Sequence, residues 1–360
     1  MQSRYLTTLA IAAAAATMAA GCGKSADEGS SSDSSANGGA SDKKVALVIA
    51  QGGLGDKSYN DLANSGFEKA VEETGVDGRA IESNDVVAQA EPILDRATQS
   101  GFGLVIDLEF SHAEALQKVA KANPDTQYAL INVPVEGPNT TGVLFQEQEG
   151  SYLAGVLAAR MTTQTGNERI NPKPVIGVIG GTKSTGIDKF LVGYIQGARD
   201  TDPDVKVLTA YANDFADPSK GKQIADSMYD RGADIVYHVA GGTGAGVIEA
   251  AKARNRYAIG VDTDQDATAP GAVLTSMVKR TDLAVEQLVK DYADGSLKGG
   301  ETRNLGLADD GVGLSEMKYT KDAVPDDVMA DVDAAREGII DGSVKVWNVI
   351  TQGYPGFYKP

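Results

Sequence analysis

From about residue 43 to residue 292, short β-rich apolar runs alternate with longer segments whose apolar positions recur at helical spacing. No other feature constrains the fold as tightly. Strands separated by helices pair in parallel, through crossovers that lay the helices over the sheet. The spacing predicts strands over 45–50, 79–82, 104–108, 128–132, 142–145, 175–179, 206–210, 235–239, 257–261 and 272–276. Helices are predicted over 59–74, 89–100, 111–123, 150–161, 187–200, 218–231, 246–254 and 281–292. Leu62, Gly66, Ala70 and Val71 fall together on one face of the first helix, as Leu153, Val156 and Leu157 do on the fourth. The fold class is therefore α/β.

Ten strands exceed one comfortable doubly wound sheet, and the body of the chain is long enough for two lobes with separate cores. The division is expected near 144–149. No long linker marks it, so the chain is expected to pass between lobes more than once through short strand-like hinges. Residues 302–306 form one such crossing, and a helix near 326–338 returns to pack on the second lobe.

The N-terminus carries one positive charge, at Arg4, followed by a small and apolar run from Leu6 to Ala20 that closes on Gly21 and Cys22. A run of about 15 residues falls short of the roughly 20 that span a bilayer, and residues 1–21 read as a signal peptide. Cys22 resembles the lipidated cysteine of bacterial lipoproteins, although Ala19 stands where leucine is usual. An ordinary signal peptide followed by a chance cysteine is the alternative. Residues 22–42 have little that could offset chain entropy by burial and are expected to form a flexible tether of about 25 Å.

A net charge of −17 excludes nucleic acid as a partner, because neutralising phosphates requires a basic face. With one Cys and two widely separated His, His112 and His238, a Cys/His zinc site or a Cys-His nucleophile is also excluded. Both histidines read as structural. No cofactor or metal is expected, and nothing pairs a nucleophile with a general base.

In open parallel sheets ligands sit outside the carboxyl ends of strands, so residues just after each strand are the candidates. The first strand is followed by Gln51-Gly-Gly-Leu-Gly-Asp-Lys-Ser-Tyr-Asn60, in which Asp56, Tyr59 and Asn60 offer an acceptor, an aromatic face and an amide; Asp56 or Ser58 could equally be a helix cap. Asp107 ends the third strand, with Glu109 and Phe110 close behind, and such a carboxylate can accept hydrogen bonds from two hydroxyls. Asp262 stands in the same place after the ninth strand. The run Asp262-Thr-Asp264-Gln-Asp266 lacks the Gly and Glu of a calcium loop. Lys279, after the tenth strand, can supply a donor and a compensating charge.

Gly177-Val-Ile-Gly-Gly-Thr182-Lys183-Ser184 resembles a phosphate-binding loop, but Thr182 replaces the glycine before the lysine. The turn Gly241-Gly242-Thr-Gly244-Ala-Gly246 has the wrong spacing for a dinucleotide fingerprint and reads as a backbone hydrogen-bonding turn to a neutral ligand. Periodicity favours Phe190 as a core residue; facing Tyr59 or Phe110 across a cleft, it would instead be one side of a clamp for a planar base.

Taken together, Asp56-Lys-Ser-Tyr-Asn60, Gln148-Glu-Gly-Ser-Tyr-Leu-Ala-Gly155, Gly177-Val-Ile-Gly-Gly181, Phe190-Leu-Val-Gly-Tyr194, Val239-Ala-Gly-Gly-Thr-Gly244, Ile259-Gly-Val-Asp-Thr-Asp-Gln265 and Leu274-Thr-Ser-Met-Val-Lys-Arg280 resemble the basic membrane protein family of solute-binding lipoproteins, which contains the purine nucleoside receptors. The resemblance implies a type I periplasmic-binding-protein fold: two Rossmann-like lobes joined by three crossovers, with 43–145 and 277–303 in the first and 146–276 and 304–360 in the second. It further implies a monomer that carries nucleosides, purines above all, to an ABC permease. By this resemblance Tyr59, where Phe is usual, and Phe190 form the clamp; Asp56 and Asn60 bind from the first lobe, and Gly242, Asp262 and Lys279 from the second lobe and the return crossover. Asp107-Leu-Glu109-Phe110 stands where the family usually shows Gly-x-Gly-Phe, which alters the wall of the site. The alternatives are a binding protein for a sugar, flavin or signal molecule, and an exported nucleoside-processing or NAD-linked enzyme.

Overall fold

The computed structural model describes residues 42–358. Cys22, the signal peptide and nearly all of the tether lie outside the described residues. The first part of the chain builds one parallel layer: β1 (Lys44–Val48), α1 (Tyr59–Thr74), β2 (Asp77–Ile81), α2 (Ala90–Gln99), β3 (Leu104–Asp107), α3 (Ala113–Ala122), β4 (Gln127–Ile131) and β5 (Thr140–Phe145). In β1, Val45 and Leu47 pack toward one helical layer and Ala46 and Val48 toward the other, all with no exposure. Burial on both faces is why these strands read as continuous apolar runs rather than alternating ones.

A second layer follows: α4 (Glu147–Met161), β6 (Val175–Gly180), α5 (Thr185–Thr201), β7 (Lys206–Tyr211), α6 (Pro218–Asp230), β8 (Ile235–Val239), α7 (Gly244–Ala253), β9 (Tyr257–Asp262) and β10 (Val273–Lys279). The chain then forms α8 (Thr281–Asp294), β11 (Glu301–Leu305), β12 (Val312–Leu314), α9 (Asp326–Ile340) and α10 (Val349–Gln352).

The two six-stranded sheets share one topology. Their orders are β2-β1-β3-β4-β5-β11 and β7-β6-β8-β9-β10-β12, parallel throughout except that β12 runs antiparallel to β10. In each sheet the order reverses between its first and third strands in sequence, β1 and β3 in one and β6 and β8 in the other. A crevice opens at that point at the carboxyl ends, and loops from both strands can line it.

Three segments pass between the sheets: residue 146 after β5, residue 280 after β10, and 306–311 between β11 and β12. Two details differ from the sequence-based expectation. The strand predicted to end at 276 continues to Lys279, paired with β9 as far as Val278 and with β12 over 277–279, so the second crossing falls after 279 rather than at 277. Residues 302–306, expected as an extended crossing, fall mostly within a full strand, β11, that pairs with β5.

Close helix contacts set the floor of the crevice. A Cβ on Gly193 of α5 would lie 2.2 Å from the Gln148 carbonyl oxygen of α4, so only glycine permits this approach. The Ser184 side chain accepts a hydrogen bond from the Ile187 N–H and caps α5, which starts at Thr185, two residues before the predicted 187. Together they hold the first turns of α5 against the start of α4. Lys189 and Glu147 meet as a result.

Candidate functional site

A cavity lies between the carboxyl ends of the two sheets, where ligands of open parallel sheets bind. Asp56, Tyr59, Asn60 and Phe110 line it from the first lobe, and Phe190, Asp262 and Lys279 from the second. Phe190 also belongs to the hydrophobic core and is only 4% exposed. Its ring has one surface in the core and one on the cavity.

The floor is ionic. Glu147, the first residue of α4, receives the Lys279 ammonium at 2.8 Å and forms a second ion pair with Lys189; all three side chains are buried. Burial alone would push the Glu147 carboxyl up, but the two ammonium groups outweigh it and hold it below its ordinary value. Burial likewise pulls the Lys189 ammonium down, and Glu147 offsets only part of this. Lys189 also donates to the Phe145 carbonyl at 3.0 Å. The Lys279 ammonium lies 5.0 Å from the Tyr59 and Phe145 ring centroids and 5.6 Å from that of Phe190, so aromatic faces surround the charge on the cavity floor.

Asp262, the last residue of β9, takes a left-handed backbone conformation (φ 67°), which turns its carboxylate toward the first lobe. There Ser58 Oγ donates to it at 2.6 Å. Its carboxyl is pushed up to about 6, first by burial and then by the nearby Asp56 and Glu147 charges, against the pull of Lys279 and Ser58. A second hydrogen bond crosses between lobes, from Gln265 Nε2 to the Lys57 carbonyl at 3.1 Å. The lobes are closed on one another in this structure.

On the first lobe, Asp56 accepts the backbone N–H groups of Ser58, Asn60 and Asp61 at 2.9–3.1 Å. It caps α1 while lining the cavity. The Asn60 amide is occupied by β1's end, accepting from the Ala50 N–H at 3.0 Å and donating to the Gln51 carbonyl at 3.2 Å, so it shapes the wall through the backbone it holds.

Two expected residues stand elsewhere. Asp107 does not line the cavity: its carboxylate, fully buried, faces His112 Nδ1 at 2.7 Å and accepts the Glu109 N–H at 2.9 Å. No acceptor there faces a ligand. Gly242 sits behind the wall, with its neighbour Gly241 lining the cavity; a Cβ on Gly242 would lie 3.2 Å from the Phe215 carbonyl oxygen. Glu109 does line the cavity, held by the Gln51 N–H at 3.1 Å and the Ser111 hydroxyl at 2.7 Å. His238, pulled down to about 4 by burial, bonds Gln265 and takes no part in the cavity lining.

The chain matches the family described as ABC transporter substrate-binding protein, PnrA-like, over residues 43–348. The chain belongs to this family. It is 34% identical to a CD4+ T-cell-stimulating antigen of Listeria monocytogenes, over 95% of this chain and 98% of that one. It is 32% identical to the ABC transporter nucleoside-binding protein BmpA of Lactococcus lactis, over 96% and 99%. Among solved structures, an ABC transporter solute-binding protein from Aeropyrum pernix superposes with a TM-score of 0.79 at 30% identity, covering 85% of this chain and 93% of that one. The fold is thus that of type I periplasmic binding proteins. As a member of the family the protein binds a small-molecule substrate for an ABC transporter and is not an enzyme. No helix among the described residues is long and apolar enough to cross a membrane. Relatives include lipoproteins of Pyrococcus, consistent with a place at the outer face of a membrane.

Within this family member, Glu147, Lys189, Asn132 and Phe215 join the cavity although no motif marks them. Asn132 follows β4 directly and Glu147 stands two residues past the end of β5, so the strand-end rule reaches them. Residue type gave no cue, since an Asn after a strand is an ordinary turn residue and a Glu at a helix start an ordinary cap.

Proposed function

We propose that the protein captures a nucleoside, purine rather than pyrimidine, in this cleft and presents it to an ABC permease from a lipid anchor at Cys22. The observation that carries this reading is one cavity with aromatic walls at Tyr59 and Phe190 beside a buried carboxylate and ammonium at Asp262 and Lys279. A nucleoside has the same two halves: a planar base that stacks, worth about 1–3 kcal/mol per base, and a ribose whose hydroxyls donate to a carboxylate and accept from an ammonium. The nucleoside-binding Lactococcus relative supports the same choice. Asp56 adds a first-lobe acceptor. Ligand contacts from both lobes favour the closed form, and no bond is made or broken. The acidic protein acts as a monomer.

Thermal-shift screening of the body from Lys43 onward against nucleosides, free bases, sugars and NAD tests this. A purine nucleoside at a hundred times its Kd should add about 2.7 kcal/mol of stability. Silence from every nucleoside, or a shift only with a sugar, overturns the reading.

A further inference from the structure

Asn132 follows β4 at a left-handed backbone position (φ 82°), which asparagine tolerates better than most residues. Its side chain bridges the lobes. The Lys279 ammonium, on the second lobe, donates to Asn132 Oδ1; Asn132 Nδ2 donates to the Tyr59 hydroxyl at 2.9 Å; and that hydroxyl donates to the Leu108 carbonyl at 3.0 Å. At its other end Lys279 is held by Glu147.

Every direction in this chain is forced. An ammonium can only donate, so the Asn132 oxygen must face Lys279 and its NH₂ must face Tyr59. The Tyr59 oxygen then accepts, and its own hydrogen is left for Leu108. The amide orientation, ambiguous in isolation, is set by chemistry. Tyr59 stands where Phe is usual in the family this sequence resembles, so its hydroxyl adds a link that phenylalanine could not make. The hydroxyl points into the protein, at Leu108 and Asn132, and leaves the ring face for the cavity.

We propose that Asn132 is a positioning residue for ligand capture, holding the Lys279 ammonium of the second lobe and the Tyr59 ring of the first so that one ligand meets both in the closed cleft. This rests on the nucleoside reading above. Asn132 touches the ligand through neither group; it sets where they stand. Losing it frees Lys279 to turn toward Glu147 alone and releases the Tyr59 ring, so the loss appears mainly as faster ligand release.

The test is a double-mutant cycle on purine ribonucleoside affinity with Asn132→Gly, which keeps the left-handed backbone and deletes the amide, and Lys279→Met. Asn132→Gly alone is expected to weaken binding about tenfold to a hundredfold, the range for a hydrogen bond to a charged group. In the Lys279→Met background the same change should cost less than about threefold, because the pair acts as a unit. The Asn132→Gly protein should also lose most of its preference for the ribonucleoside over its 2′,3′-dideoxy analogue, which a purely structural role would leave intact. Asn132→Asp, which keeps the acceptor for Lys279 and removes the donor to Tyr59, runs through the same cycle, so a folding defect in one variant does not decide it. It should lose less than Asn132→Gly. Equal losses in both Lys279 backgrounds, or wild-type affinity in Asn132→Gly, overturn this assignment alone. A wild type that binds no nucleoside overturns both this assignment and the reading beneath it.

Discussion

Glu147→Leu is expected to lower the stability of the unliganded protein by about 3–5 kcal/mol, the cost of removing one partner from a buried ion pair. The reason is specific to this floor. Lys189 and Lys279 are 2% and 3% exposed, and Glu147 is the carboxylate that pairs with both. Leucine fills the space but leaves two buried ammonium groups near each other, with the Phe145 carbonyl as a remaining acceptor for Lys189 and the Asn132 amide for Lys279. Glu147→Gln keeps an acceptor and should cost less. Urea unfolding monitored by circular dichroism measures both. The pH dependence has a definite sign. The folded Glu147 carboxyl is held below its ordinary value of 4.5, so its contribution is present above that value and is lost as pH falls through the folded one. The gap between wild type and Glu147→Leu should therefore narrow below about pH 4.5. A Leu variant as stable as wild type at neutral pH would show that the floor is not held by this carboxylate.

Asp262→Ala is expected to weaken purine ribonucleoside binding by about a hundredfold or more, while a 2′,3′-dideoxy analogue loses less than about threefold. Two ribose hydroxyls donating to one buried carboxylate are worth about 1.5–3 kcal/mol each, and the analogue has neither. Equilibrium titration of both ligands against both proteins measures the difference; equal losses would remove Asp262 from the ribose. The carboxyl also gives binding a pH profile. It is pushed up to about 6, with Lys279, Ser58, Asp56 and Glu147 around it, and only its ionised form accepts both hydroxyls. Ribonucleoside affinity should fall as pH drops through about 6, and this dependence should vanish in Asp262→Ala. In the free protein the sign reverses. A carboxyl raised above its ordinary 3.8 favours the folded, closed form at low pH, and that contribution is lost as pH rises from 3.8 through about 6.

The layered α/β fold was legible because parallel strands buried on both faces leave an unmistakable apolar run, and the helices between them keep one apolar face. β12 was not, since three residues, Val312–Leu314, are too few to carry any period. The end of β10 was misplaced because Met277 to Lys279 pair with β12, a strand farther along the chain that carries no period of its own. The site shows the same limit. Asp107 and Asp262 give one signal, a carboxylate at a strand's end. Asp107 meets the His112 ring five residues on and is enclosed by its own lobe, whereas Asp262 is turned by its left-handed backbone into the cleft. Only the three-dimensional neighbours separate them. Asn132 and Glu147 were silent for the complementary reason: their residue types are common where they stand, and their importance arises from Lys279, which the fold brings from the far side of the chain.

Base and ribose of one nucleoside are expected to meet the aromatic rings and the buried charges of this one cleft. The structure of the protein bound to a purine ribonucleoside tests it most directly. The base is expected against the Phe190 and Tyr59 rings and the ribose hydroxyls within hydrogen-bond distance of Asp262 and Lys279, with Asn132 still joining Lys279 to Tyr59. A ribose turned toward Glu109 and Phe110, with no hydroxyl near Asp262 or Lys279, would contradict this arrangement.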